Sequence, residues 1–166
     1  MTQYPHTTTD PARLHRALQE DYAGIERRID DFLVQRGGVG AATLGLREAI
    51  TSLRRHIHLE EEILFPALRR AGMTGPVFAM STEHFDLWST MDRMEQRLAD
   101  GCSQAEQQEV GRMLMAELDR HSSKEEPIVF GHAEDVLAPE DLADVRAFVE
   151  SATLPPGWVP QEPEGA

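Results

Sequence analysis

The chain is short of cysteine, of basic residues and of uninterrupted apolar sequence, and each shortage removes a class of protein. Its single cysteine, Cys102, excludes an internal disulfide framework and fits a reducing, cytoplasmic setting. Lys and Arg number 16 against 29 Asp and Glu, a net charge of −13. Nucleic acid and anionic membranes both need a basic face, so neither is an expected partner. No apolar run approaches the roughly 20 residues that cross a bilayer. The opening MTQYPHTTTD has neither a basic start nor an apolar core, so no signal peptide is expected. Glycine loops of the Walker or Rossmann kind are missing. No segment alternates polar and apolar residues for long enough to suggest a strand.

What is present suits a single domain: 166 residues, 40% hydrophobic and 27% charged. Stop signals divide it into five helices. Asp10-Pro11 reads as an N-cap with proline in the first turn, and Gly37-Gly38 ends that helix. The second runs from about Ala41 to Ala71 and stops at Gly72. The third starts near Pro76 or Ser81 and ends at Gly101. Ser103 and Glu106 have capping-box spacing and open the fourth, which reaches about Leu137. Pro139 starts a short fifth helix, to about Ala152. This predicts a flexible N-terminus over 1–9, a bundle with a short added helix over 10–152, and a Pro-rich acidic tail over 153–166 that is disordered or loosely packed.

Apolar residues recur at steps of three and four. The seams are Leu18, Tyr22, Ile25, Ile29 and Phe32; Leu46, Ile50, Leu53, Ile57, Leu64 and Leu68; Leu87, Met91, Met94 and Leu98; and Met115, Leu118, Ile128 and Val129. Four amphipathic helices on short turns predict an all-α, up-down-up-down four-helix bundle.

The stretch HIHLEEEILFP, residues 56–66, has a second copy in HSSKEEPIVF, residues 121–130. Both read H-x-x-x-E-E-x-x-[L/V]-F. The first and third helices also align on His15 and His84, each followed by its seam at +3, +7, +10 and +14. The chain is two copies of one helical hairpin. Residues four apart lie one above the other on a helix, and the histidines continue the buried seams, so the polar groups point into the bundle. At about 1.5 Å per residue, all four helices bring these groups to one level. A buried imidazole or carboxylate without a partner costs several kcal/mol. Six of them, His15, His56, Glu60, His84, His121 and Glu125, need a shared partner, and a metal centre supplies one.

Six ligands exceed the four of a structural zinc, and four imidazoles are too nitrogen-rich for calcium or magnesium. The set suits two non-haem iron ions, each held by two histidines and bridged by both glutamates, with manganese or zinc as substitutes. Positions stay open for an Fe–O–Fe bridge and a small exogenous ligand: dioxygen, nitric oxide or peroxide. His58 is turned roughly 200° from His56 around its helix, and its counterpart is Ser123, so it reads as surface. His6 precedes the helices and reads as solvated. His132 returns to the face of Glu125 and is the extra candidate for the site. Glu61 and Glu126 read as surface or supporting groups, and Tyr22 as packed core. Ferritin-like di-iron bundles require Glu-x-x-His pairs and zinc proteases H-E-x-x-H. Neither pattern occurs.

On HIHLEEEILFP, HSSKEEPIVF and the two lone histidines, residues 10 to 137 resemble the hemerythrin-like, or HHE cation-binding, domain. The resemblance implies a four-helix bundle around a non-haem di-iron centre, with the six residues above as matched ligands. Oxygen-carrying hemerythrins have a further histidine four residues along the third helix and an H-x-x-x-x-D motif on the fourth. Here those places hold Trp88, and Glu125 at a spacing of four. These departures point away from simple reversible oxygen carriage. They match the wider group with symmetric His/Glu ligation, linked to nitric-oxide response, iron handling, peroxide chemistry and oxygen or iron sensing. The expected function is binding or sensing of dioxygen or nitric oxide. The competing ones are redox turnover of peroxide or nitric oxide, and iron storage, delivery or iron-responsive regulation.

Overall fold

The computed structural model describes residues 11–151 and 153–163, so His6, Asp10 and the first nine residues lie outside it. The five expected helical rods are present, and no strand occurs among the described residues. The first rod is α1, Pro11–Leu33. The second is α2, Val39–Leu59, continued through a π-helical turn at Glu60–Leu64 into α3, Phe65–Arg70. The third is α4, Thr74–Ala99. The fourth is α5, Gln104–Glu125, a second π-helical turn at Glu126–Phe130, and α6, Gly131–Val136. The short α7, Pro139–Ser151, follows. α1 packs on α2 and α5, and α4 packs on α5 and α2, which closes the bundle. No helix among the described residues is long and apolar enough to cross a membrane.

Local chemistry sets the ends of the rods. Ser103 Oγ accepts from the Glu106 N–H while Glu106 Oε2 accepts from the Ser103 N–H, the reciprocal capping box. Gly72 and Gly101 take φ of +90° and +64° just past their helices. Beyond each, the N–H of Met73 or Cys102 returns to the carbonyl of Leu68 or Arg97, a closure that side-chain-bearing residues adopt only under strain.

The predicted seams form the core. Ile25, Ile29, Leu46, Leu53, Ile57, Met91, Met94 and Leu118 are fully buried, whereas Leu98, Met115 and Ile128 are partly buried at the edge. α1 and α5 approach closely where Gly111 meets Phe32 and Leu33. A Cβ on Gly111 would stand 3.1 Å from Leu33 Cδ2 and 3.2 Å from Phe32 Cε1.

Two features differ from the sequence reading. The second and fourth rods widen at a π-helical turn where an unbroken α-helix was expected. In each, the chain closes an i→i−5 bond, from the Phe65 N–H to the Glu60 carbonyl and from the Gly131 N–H to the Glu126 carbonyl. Pro66 and Pro127 lack an N–H for the ordinary ladder and crowd the carbonyl four residues back, and the wider turn relieves both problems. The second difference is the tail, which was expected to be loose. Trp158 packs on the core beside Leu154, stands edge-on to Trp88 and His58, and donates through Nε1 to Glu62 at 2.9 Å. His58, read as a surface residue, is half-buried beneath this segment and stacks on Phe148. One large aromatic outweighs the tail's polar composition, because its buried area offsets the cost of ordering a few residues.

Filling the Gly111 contact should strain the bundle away from its polar centre. Gly111→Val is expected to cost about 1–3 kcal/mol by overpacking and to lower the melting temperature by about 2–4 °C for each kcal/mol. Thermal denaturation followed by circular dichroism checks this.

Candidate metal centre

Mid-bundle, the core stops being apolar. His56, Glu60, His84, His121 and Glu125 are all at most 2% exposed. Their polar atoms form two overlapping groups, Glu60–His84–His121 and His56–Glu60–Glu125, in each of which one atom per residue lies within 4.8 Å of the others. Glu60 belongs to both. Helical periodicity does this within each rod, since His56 and His121 stand one turn ahead of Glu60 and Glu125. The bundle then brings α2 and α5 face to face and sets His84 of α4 against Glu60.

The hydrogen-bond pattern shows what these atoms lack. His56 Nδ1 donates to Asp21 Oδ2 at 3.3 Å, His84 Nδ1 to Glu61 Oε1 at 2.7 Å, and His121 Nδ1 to Glu83 Oε2 at 2.9 Å. With the proton on Nδ1, a neutral ring has its lone pair on Nε2. All three Nε2 atoms turn inward. His84 Nε2 lies 3.1 Å from His121 Nε2 and 2.9 Å from Glu60 Oε2. His56 Nε2 lies 3.3 Å from Glu60 Oε1 and 3.2 Å from Glu125 Oε1. Both Glu60 oxygens and Glu125 Oε2 are buried without an aligned hydrogen-bond partner. Lone pairs thus converge on lone pairs in a dry interior. Protons can relieve this in part, but a cation of two or more charges relieves all of it. The donors fit a metal site of mixed nitrogen and oxygen ligands, and carboxylates on the far ring nitrogens are the usual support for metal-binding imidazoles.

The metal-free electrostatics follow from the same crowding. Burial alone would lower the His56 and His121 values. Glu60, Asp21 and Glu125 outweigh it at His56, and Glu60, Glu83 and Glu125 at His121, so both rings are raised, His121 to about 9. Burial and the charge of Glu60 raise Glu125 to about 7. Glu60 goes the other way, below the usual carboxylate range, because the surrounding imidazoles and Glu125 overcome its burial. Glu83 is held to about 2, its partial burial outweighed by His121 and Lys124, which both bond its carboxylate. Tyr22 is pushed well above the ordinary tyrosine value, by burial first and then by Glu125 and Glu60.

The remaining candidates lie outside the two converging groups. His15 on α1 is half-buried and belongs to neither group of converging atoms. His132 is exposed and bonds the Ile128 carbonyl through Nδ1. Glu126 is exposed and accepts from Gln19. Glu61 is a support, accepting from His84 and, at 3.2 Å, from Ser81 Oγ. Asp21 and Glu83 play the same part, although no motif marks them. Phe65, the aromatic that closes the repeated motif, lies parallel to the His84 ring with centroids 5.1 Å apart. A cleft of about 320 Å³, lined by Leu18, Asp21, Arg55 and Phe148, reaches His56 from outside.

The sequence profile of the hemerythrin HHE cation-binding domain matches residues 12–133. The chain belongs to that family. The match runs from α1 into α6 and takes in every residue of the two converging groups. No curated protein and no solved structure matches the chain. Metal binding by buried His and Glu side chains is therefore common ground between the family and this hemerythrin-type core.

The pH dependence of the metal-free chain has a definite sign. A group whose value is raised on folding adds stability that is full below its ordinary value and is lost as pH rises through the folded one. For His121 that window runs from 6.5 to about 9, and for Glu125 from 4.5 to about 7. Glu83 acts in reverse, but only below 4.5. Metal-stripped protein is thus expected to melt at a lower temperature at pH 9 than at pH 6.5. Melts of chelator-treated protein at the two pH values test this, and an equal or higher melting point at pH 9 contradicts it.

Proposed function

We propose that this chain is a non-haem di-iron protein that binds or senses a small diatomic molecule, dioxygen or nitric oxide. One observation carries the reading: three inward-facing imidazole nitrogens and two buried carboxylates, arranged as two donor groups sharing Glu60. A shared carboxylate suits two cations side by side. In this reading His84 and His121 would hold one ion and His56 and Glu125 the other, with Glu60 available to both. His15, aligned with His84 in the sequence repeat, is the further ligand proposed on α1.

Two iron ions, when bound, supply a redox-active pair able to hold one small molecule. The protein's own groups do the rest. Asp21, Glu61 and Glu83 keep each imidazole in the Nδ1–H form with its lone pair inward, and add negative charge behind it. Phe65, Leu53, Ile57 and Leu118 exclude bulk water. The cleft beside His56 gives a small molecule an approach to the donors, and the donors themselves are buried. These features favour capture of a gas over processing of a large metabolite.

The ligand assignment predicts graded losses. Glu60→Ala or Glu125→Ala should remove about half or more of the bound metal and lower thermal stability, because the remaining polar groups lose their common partner. Elemental analysis of purified protein measures this, and full occupancy in either variant contradicts the assignment. Glu83→Gln, which keeps the shape but removes the charge behind His121, should weaken metal affinity about 10–100-fold. Competition against a chelator measures that. The gas reading itself is tested on iron-loaded, reduced protein exposed to dioxygen or nitric oxide. An optical change is expected, and an unchanged spectrum with both gases removes the reading while leaving metal binding intact.

A further inference from the structure

Tyr22 is the one group at this centre that the metal reading above leaves without a task. It is 6% exposed, and its hydroxyl is buried with no aligned hydrogen-bond partner. Buried tyrosine hydroxyls ordinarily find one, so an orphan requires a reason. The ring packs against the His56 ring with centroids 4.2 Å apart. The hydroxyl lies against the Glu125 carboxylate, whose Oε2 is likewise without a partner. The two converging groups also differ in make-up, one being Glu60, His84 and His121 and the other His56, Glu60 and Glu125. Tyr22 stands beside the second. In the alignment of the two hairpins its counterpart is Met91, a fully buried core residue with no hard donor.

We propose that Tyr22 is a metal ligand, giving its phenolate oxygen to the ion held by His56 and Glu125 and making the centre asymmetric. The proposal rests on the di-iron reading above. On binding, the O–H bond breaks, the oxygen–metal bond forms and the proton leaves to solvent, with no change of oxidation state. A cation beside the hydroxyl favours its anionic form. A hard ferric ion favours an anionic oxygen donor, so the bond is strongest in the oxidised protein.

The test uses the full chain loaded with iron, chemically oxidised and assayed for iron content. The wild-type protein should show a visible charge-transfer band, and resonance Raman excitation within it should enhance phenolate ring vibrations that shift with ring-deuterated tyrosine. Tyr22→Phe should lose band and vibrations while keeping at least the iron on the His84 side. Two irons per chain with no phenolate vibration would overturn the Tyr22 proposal and spare the di-iron reading. A band that survives unchanged in Tyr22→Phe would do the same. Wild-type protein that takes up no iron would sink both. The isotope-shifted wild-type spectrum decides the matter even if the variant does not fold.

Discussion

The structure turns on a conflict between burial and charge. Five ionisable side chains have been withdrawn from water into a helical core, with their acceptor atoms aimed at one another. Burying one such group without a partner costs more than a typical domain's margin can absorb several times over. The three outward carboxylates deepen the conflict, because they fix each ring proton on the far nitrogen and leave the near nitrogen bare. In the metal-free chain this crowding raises His56, His121 and Glu125 above their ordinary values. Protons and metal cations are the two sources of positive charge that answer such a cluster, and membership of a cation-binding family favours the second.

The bundle is arranged around that need. Long apolar seams above and below the polar level give α1, α2, α4 and α5 enough buried area to tolerate a charged layer. The π-helical turns begin at Glu60 itself and just after Glu125, within one residue of matching places in the two hairpins. A widened turn changes the facing of successive residues, and at the first one Glu60 and Glu61 both serve α4: one reaches His84 Nε2 and the other His84 Nδ1. Pro66, just after the first motif copy, and Pro127, inside the second, are part of this device. They interrupt the α ladder where the site needs the backbone to depart from it.

The sequence made much of this legible, for a definite reason. His56 with Glu60 and His121 with Glu125 are pairs within single helices, where spacing alone decides facing. His84 was legible from duplication, since aligning the hairpins puts it on a core seam. Asp21 and Glu83 were not legible. They meet His56 and His121 across helix interfaces, and such pairings depend on crossing angle and axial register, which periodicity does not contain. Rise-per-residue arithmetic puts all four helices at one level, but it does not say which further α1 side chains meet the centre, and beside His56 these are Asp21 and Tyr22. Trp158 escaped notice because a proline-rich acidic tail was read by its average composition, and a single indole decided its docking. The π-helical turns had a signal in Pro66 and Pro127, residues that cannot join an unbroken α ladder.

Duplication supplies a symmetric frame, so the chemistry specific to this chain lies in its departures from symmetry. These fall largely on one side. Tyr22 replaces a core methionine beside His56, and His56 is supported by Asp21, which is 46% exposed, whereas Glu61 and Glu83 behind the other rings are 11% and 19% exposed. The cleft flanking α1 reaches His56 itself, and a second opening between α1 and α5 is lined by Tyr22. By contrast, the cleft lined by Glu83 touches a supporting carboxylate and none of the converging donors. These two openings thus lie on the His56 side, where a more exposed carboxylate backs the ring. On the other side Phe65 covers the His84 ring, and two better-buried carboxylates back His84 and His121. The two halves of the repeat thus keep one donor motif but differ in how openly its imidazoles are backed.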